Sequence, residues 1–371
     1  MRISLGKTRG KIVGAVVMVA AALLIGAVLM LLSGNNPLEA YRALVFGAFS
    51  SRQRVSELFV KLVPVMIMGL GVSVAYRAQL WNIGAGGQFL LGAIAATAVG
   101  LYVKLPPALL APLTILAAAA AGGGWALLAG LLKVKFHANE VITTLMLNYI
   151  ANYFLKFLVY GPMMDPAGQL PQSALLPEGI RLRQIFPGLR ANYGLIIMVV
   201  ALILTALLWR SAVGCRINLI GQGERVATYG GVNVRRVVLL TMFISGGAAG
   251  VAGWIETFGL QYRLMENMAG SYGDIATVVA LLGALNPYGI AAASVFFAIL
   301  LVGGAGMQRM TNVPYSIVDV IQGLIIIFVI AGVVGREGRP GKRPGKQSSK
   351  LSSKQPSKLS SKEPGRRERD A

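Results

Sequence analysis

Apolar residues in this chain gather into long runs separated by short polar stretches. The runs occupy 12–32, 58–76, 83–103, 107–132, 141–160, 193–210, 237–258, 274–286, 288–308 and 315–335. Most reach the roughly 20 residues that a helix needs to cross a bilayer. In hydrocarbon every backbone polar group must bond internally, so such runs predict helices. The eighth, 274–286, is too short to cross alone as a regular helix. The pattern predicts an all-α, polytopic membrane protein of about ten transmembrane helices, one short or broken, with both termini on one side.

The first run follows Arg2, Lys7, Arg9 and Lys11, as in a signal peptide. It is long enough to span, however, and no small-residue cleavage site adjoins "LLSGNNP". It is expected to be a retained helix.

Several runs are interrupted by residues that hydrocarbon tolerates poorly. The stretch "LWNIGAGGQFLLGA", 80–93, carries Asn82, Gln88 and the glycines Gly84, Gly86, Gly87 and Gly92. It reads as the start of the third run near the inner face. Its glycines would let another backbone approach, and its amides would bond freed polar groups or meet solute. Asn148 and Asn152 lie four apart, on one face of the fifth run. With Asp274 these amides form the candidate substrate pathway; interhelical hydrogen bonding is the structural alternative for each. Amides both donate and accept, which suits a neutral, hydroxyl-rich solute. Lys61, Lys156, Glu256 and Asp319 are the other embedded or boundary charges. Lys156, near a run's end, is expected to snorkel. "GGG" at 122–124 predicts close helix packing. "LLGA" at 90–93 and 281–284 hints at an inverted repeat, although four residues in so Gly/Ala/Leu-rich a chain lie close to chance.

Composition agrees with this class: 55% of residues are hydrophobic, 13% are charged, and 46 are glycine. A soluble chain carries about twice that charge. The single cysteine, Cys215, and the single histidine, His137, exclude an intrachain disulfide and a Cys or His metal cluster. No metal or cofactor is expected. Charge also suggests an orientation. With the N-terminus inside, 24 of the 35 Lys and Arg fall in inner segments, twelve of them in the tail after 335. That tail, 336–371, is basic and poor in apolar residues, repeats "SKLSSK" and is expected to be disordered and cytoplasmic. It supplies +8 of the net +21, so the charge does not indicate a nucleic-acid partner. Two long connections remain. The outer one, 161–192, holds five prolines and predicts an ordered surface loop. The inner one, 210–236, is basic, and its "ERVATYGGV" reads as a short helix ended by glycine. No phosphate-binding GxxxxGK[ST] sequence occurs, so the chain is not expected to be an enzyme or to hydrolyse ATP itself.

Four ordered blocks resemble one family: "WNIGAGGQFLLGAIAA", "ANEVITTLMLNYIANY", "LIGQGERVATYGGVNVRRVVLLTMFISGGAAGVAGWIE" and "GDIATVVALLGALNPYGI". They are similar to permease subunits of bacterial ABC importers for simple sugars and nucleosides. The likeness covers about residues 10–335. One departure is Gly86, where the family usually has an acidic residue. The resemblance implies a multi-pass permease of the inner membrane. Its partners would be ABC ATPase subunits, a second homologous permease and an extracytoplasmic substrate-binding protein. The 210–236 segment would be the ATPase coupling loop, through Gly221, Glu224, Arg225, Ala227, Tyr229 and Gly230. Nucleosides are the expected solute, since a long chain with a sizeable segment after its first helix resembles the larger permease of nucleoside systems. Ribose- or galactose-type sugars are the near alternative. A proton-coupled secondary transporter using Asp274, Asp319 or Glu256 is the remaining one.

Overall fold

A computed structural model describes residues 5–311 and 313–337. The chain divides into two units, Met1–Gly332 and Val333–Ala371, and every helix below belongs to the first, apart from the last residues of the final helix. The expected disordered tail lies outside the described residues, apart from Arg336 and Glu337.

Thirteen helices form among the described residues, and no strand: α1 Leu5–Leu32, α2 Pro37–Phe49, α3 Arg52–Arg77, α4 Ala85–Tyr102, α5 Pro107–Phe136, α6 Glu140–Tyr160, α7 Gly194–Leu208, α8 Ala212–Gln222, α9 Glu224–Tyr229, α10 Val234–Glu256, α11 Tyr272–Leu282, α12 Pro287–Met310 and α13 Ser316–Glu337. A π-helical turn, Thr257–Gln261, extends α10. Polar residues set many of the starts. Asn36, Ser51, Asn139, Ser211, Asn233 and Asn286 each accept a backbone N–H of the helix that follows. Proline follows Asn36 and Asn286 at the first helical position, where its missing N–H costs nothing.

Among the described residues, six helices are long and apolar enough to cross a membrane, and up to eight spans result if each bent pair counts as one. The apolar pattern predicts ten. The difference lies in breaks that a hydropathy run does not register. α1 and α2 meet at 118°, and α7 and α8 at 69°. α11 has only 11 residues, in keeping with its short run. Nor do the two "LLGA" copies fall at equivalent places: one lies inside α4, the other runs across the end of α11.

α3 is the central post, with 89% of its apolar window buried. α10, α11, α12 and α7 pack around it, α4 and α5 pack on α10 and on each other, and α2 packs on α12. Lipid offers these helices no hydrophobic drive to associate, so close backbone approach supplies the attraction. Glycine provides it where α4, α5 and α10 cross. A methyl group built on Gly122 would lie 2.8 Å from the Gly250 Cα, and one on Gly92 would strike the Gly250 backbone. Of the "GGG" stretch, Gly122 and Gly123 face α10, whereas Gly124 faces open space.

Candidate functional site

Residues 210–236 lie at one end of the helices and the 161–193 connection at the other. α6 and α10 run from the first end to the second. At the second end the connection is ordered, in keeping with its prolines. Ser173, Leu176 and Leu182 donate backbone bonds to the segment after α10, and the Ala191 N–H donates to Ser56 Oγ of α3.

The interrupted stretch at 80–93 forms a polar knot at the start of α4. Asn82 is fully buried and Gln88 is 1% exposed. Their amides bond reciprocally: Asn82 Nδ2 donates to Gln88 Oε1 at 3.0 Å, and Gln88 Nε2 donates to Asn82 Oδ1 at 2.8 Å. Asn82 also donates to Ser245 Oγ of α10 at 3.0 Å and accepts the Gly84 N–H at 3.1 Å. α6 joins from the other side. Thr144 Oγ1 accepts the Ile83 N–H, Asn148 Nδ2 donates to the Ile83 carbonyl, and Asn148 Oδ1 accepts the Gly87 N–H. Polar groups freed by the break therefore find partners on two other helices, as a break among buried helices requires. Gly87 lets α6 approach: a methyl there would meet the Asn148 Cα at 3.0 Å. A methyl on Gly84 would meet Thr144 at 3.0 Å, whereas Gly86 is looser, with the Asn148 side chain 3.5 Å away. Asn152, one turn further, keeps its Oδ1 buried without a partner. Asn82→Leu is expected to orphan the Gln88 amide and the Ser245 hydroxyl. It should lower the unfolding temperature in detergent by several degrees, at about 1–3 kcal/mol per stranded group. An unchanged melting curve would show that the knot contributes nothing to stability.

Further along α10 from Ser245, a cavity of about 300 Å³ is lined by Lys61, Glu256, Gln261, Tyr272, Leu301 and residues 265–271. Glu256 is 4% exposed and has Lys61 and Gln261 as polar neighbours. Lys61 Nζ donates to the Tyr272 hydroxyl at 2.8 Å. The Tyr272 ring lies 6.0 Å from Phe89, and a methyl on the adjacent Gly273 would meet the Gly86 nitrogen at 2.7 Å. Tyr272 thus links the cavity to the start of α4. Asp274, two residues on, is exposed on α11. At the rim, Lys156 bonds Glu266 at 2.9 Å rather than reaching only toward solvent, and Tyr160 donates to Glu266 at 3.0 Å. The bonds from Lys156 and Tyr160 hold the Glu266 carboxyl below the usual carboxylate range.

At the opposite end, the 210–236 segment folds into α8 and α9. α9 is the short helix expected from "ERVATY", ended at Gly230. It buries only Ala227; Glu224, Arg225, Thr228 and Tyr229 are exposed, Tyr229 at 93%. Gly221 abuts the Arg77 carbonyl at the end of α3. Arg77 is itself fixed by a bond to the Leu285 carbonyl at 3.1 Å and by stacking on Trp209. A cavity of about 640 Å³ beside α9 is lined by Lys133, Glu140, Glu224 and Arg235 among others, and Lys133 pairs with Glu140 at 2.7 Å.

The helices thus carry a polar cavity at one end and an exposed short helix at the other. Residues 54–330 match the family described as branched-chain amino acid transport system / permease component. The chain belongs to that family. The permease is 34% identical to the glucose ABC transporter permease protein of Haloferax volcanii over 338 residues, 88% of this chain and 89% of that one. It is also 34% identical to the guanosine ABC transporter permease protein of Bacillus subtilis, over 82% of this chain and 88% of that one. Identity to the nucleoside ABC transporter permease protein of Lactococcus lactis is 30%, over 87% and 91% of the two chains. The permease is a multi-pass membrane protein and a transport component.

Within it, the sequence-predicted residues fall into three groups. Asn82, Gln88 and Asn148 form one bonded cluster, with Asn152 adjoining; Asp274 stands apart on α11; residues 221–230 lie at the far end. Sequence reading named Lys61 as an embedded charge and Glu256 as an embedded charge and proton-coupling alternative, and passed over Tyr272, Gln261 and Ser245. The tyrosine's one signal was its place in the first turn of a short apolar helix.

Proposed function

We propose that the permease is the membrane subunit of an ABC importer for nucleosides, driven by separate ATPase subunits. A second homologous permease completes the passage, and an extracytoplasmic binding protein delivers solute. The observation that carries this reading is α9: a six-residue helix with one buried residue, presented by a chain that has no phosphate-binding motif of its own. In this reading Gly221 and Gly230 bound the coupling element, Ala227 anchors it, and Glu224, Arg225 and Tyr229 contact the ATPase. Asp274 supports the second permease, because an exposed carboxylate on an apolar helix needs a polar or protein-lined surrounding. The solute route passes Asn152 and Asp274. Asn82, Gln88 and Asn148 close it in this conformation and become available to solute when the knot opens. Gly84, Gly86, Gly87 and Gly92 keep the helices close around it. Two of the three relatives above are named for nucleosides or guanosine; the glucose relative supports a simple-sugar importer as the second reading.

Reconstituted with its ATPase, partner permease and binding protein, the permease is expected to take up guanosine or uridine only when ATP is supplied. Uptake by the isolated chain, or uptake that follows a proton gradient and ignores ATP, would overturn the reading. In this reading both termini and the 210–236 loop face the cytoplasm. Cys215, exposed on α8, provides the check. An impermeant thiol reagent should label it in inside-out vesicles and leave it untouched in intact cells; labelling in intact cells reverses the orientation.

A further inference from the structure

We infer that the cavity between α3, α10 and α11 is a solute subsite for a neutral molecule bearing a vicinal diol, held by Glu256, Lys61, Gln261 and Tyr272. This rests on the importer reading above and adds where, and by which chemistry, the solute is held.

Glu256 is the one buried charged side chain among the described residues. Burying a carboxylate is costly unless it is paired or bonded, and apolar residues of similar volume would pack there more cheaply. Yet no salt bridge joins Glu256 to its nearest cation. Lys61 donates instead to the Tyr272 hydroxyl. The carboxylate and the ammonium thus face one cavity without closing on each other, which leaves acceptor sites on Glu256 and donors on Lys61 for a guest. The backbone is arranged to the same end. α10 changes at Glu256 into the π-helical turn Thr257–Gln261, whose i to i+5 pattern brings Gln261 beside Glu256. Such single turns are frequent at functional sites.

The lining selects for charge and shape. Lys61 and Glu256 offset each other, and Glu266 at the rim is already matched by Lys156 at 2.9 Å. No net charge remains to bind an ionic solute. A carboxylate accepts hydrogen bonds from two adjacent hydroxyls, Lys61 and the Gln261 amide donate to solute oxygens, and the Tyr272 ring offers a flat apolar wall. At about 300 Å³ the cavity stands at the lower end of small-molecule sites, enough for a pentose ring with part of an attached base.

The test uses the whole reconstituted importer and compares uridine with 2′-deoxyuridine, or ribose with 2-deoxyribose if sugars are the solute. Uptake is corrected for the binding protein's own measured affinity for each. The wild type is expected to favour the diol solute. Glu256→Gln should raise the half-saturation for the diol solute about tenfold, the equivalent of one charged hydrogen bond, and leave the deoxy solute within about twofold, so that discrimination collapses. Discrimination and half-saturation equal to wild type would overturn the subsite, as would a wild type indifferent to the diol. Assembly is followed by size exclusion. If Glu256→Gln fails to assemble, Tyr272→Phe replaces it: it keeps the ring but frees Lys61 to close on Glu256 and take up its acceptor sites. A raised half-saturation for the diol solute in that variant supports the subsite, and an unchanged one overturns it. A wild-type complex that moves neither nucleosides nor sugars with ATP would instead overturn the importer reading.

Discussion

Gly250→Leu is expected to leave little folded permease, while Gly124→Leu leaves the yield unchanged. Both glycines occupy apolar helices, but only one has a neighbour in the way. A methyl on Gly250 would strike the Ala118 carbonyl of α5 and lie 3.2 Å from the Gly122 Cα, whereas nothing lies within 4 Å of one on Gly124. Reciprocally, methyls on Gly92 and Gly122 meet the Gly250 backbone, so three helices meet at one point. Backbone atoms cannot rotate away as a side chain can. A leucine at 250 must therefore push α10 from α4 and α5 along their length. Ordinary overpacking costs about 1–3 kcal/mol. Separating two helix pairs forfeits many further contacts, and a loss of about 4 kcal/mol or more is expected, enough to unfold a marginally stable chain. The measurement is the monodisperse size-exclusion peak in detergent for each variant beside wild type. Equal peaks for the two leucine variants would show that the crossing is not where stability resides.

Glycines 124 and 250 also mark the boundary between what the chain's pattern reveals and what it conceals. Apolar runs announce α3 to α6, α10 and α12, because each is long and apolar enough to fill a bilayer's thickness. α2 goes unannounced: it has 13 residues, with Glu39, Tyr41 and Arg42 among them, and folds back at 118° from α1. α9 is legible, since a polar start and a closing glycine are local signals. Three consecutive glycines look alike in a sequence, and only the partner helix distinguishes Gly122 and Gly123 from Gly124. At the polar sites the residue types are visible but the pairings are not. Asn82 meets Ser245 across 163 positions, and Lys61 meets Tyr272 across 211. Even the nearer pair, Asn82 with Gln88, spans a helix start rather than a helical turn, so no periodicity links them. Close contacts between distant segments are set by how helices cross, and a single chain read in order contains no record of that.

Tyr229→Ala is expected to leave folding intact and abolish productive coupling. The side chain is 93% exposed and α9 buries only Ala227, so no internal contact depends on the ring. Exposed substitutions of this kind stay within about 0.5 kcal/mol. An aromatic ring held in water at the end of a short helix instead has the form of an interface anchor. Such anchors cost about 2 kcal/mol or more when truncated in a desolvated pocket, roughly a thirtyfold loss of affinity. The variant should therefore elute and melt as wild type does, yet retain far less ATPase subunit on purification and show at least about tenfold less ATP-driven uptake. Arg225→Ala, at a position that is charged and exposed, should cost less, because a rim charge acts mainly on association rate and salt dependence. The two variants together separate docking from general damage to the loop. If Tyr229→Ala binds its ATPase and transports as wild type does, α9 is not the element through which ATP hydrolysis reaches the membrane helices, and the drive must enter elsewhere, with the 133–140 turn beside Glu224 the next surface to test.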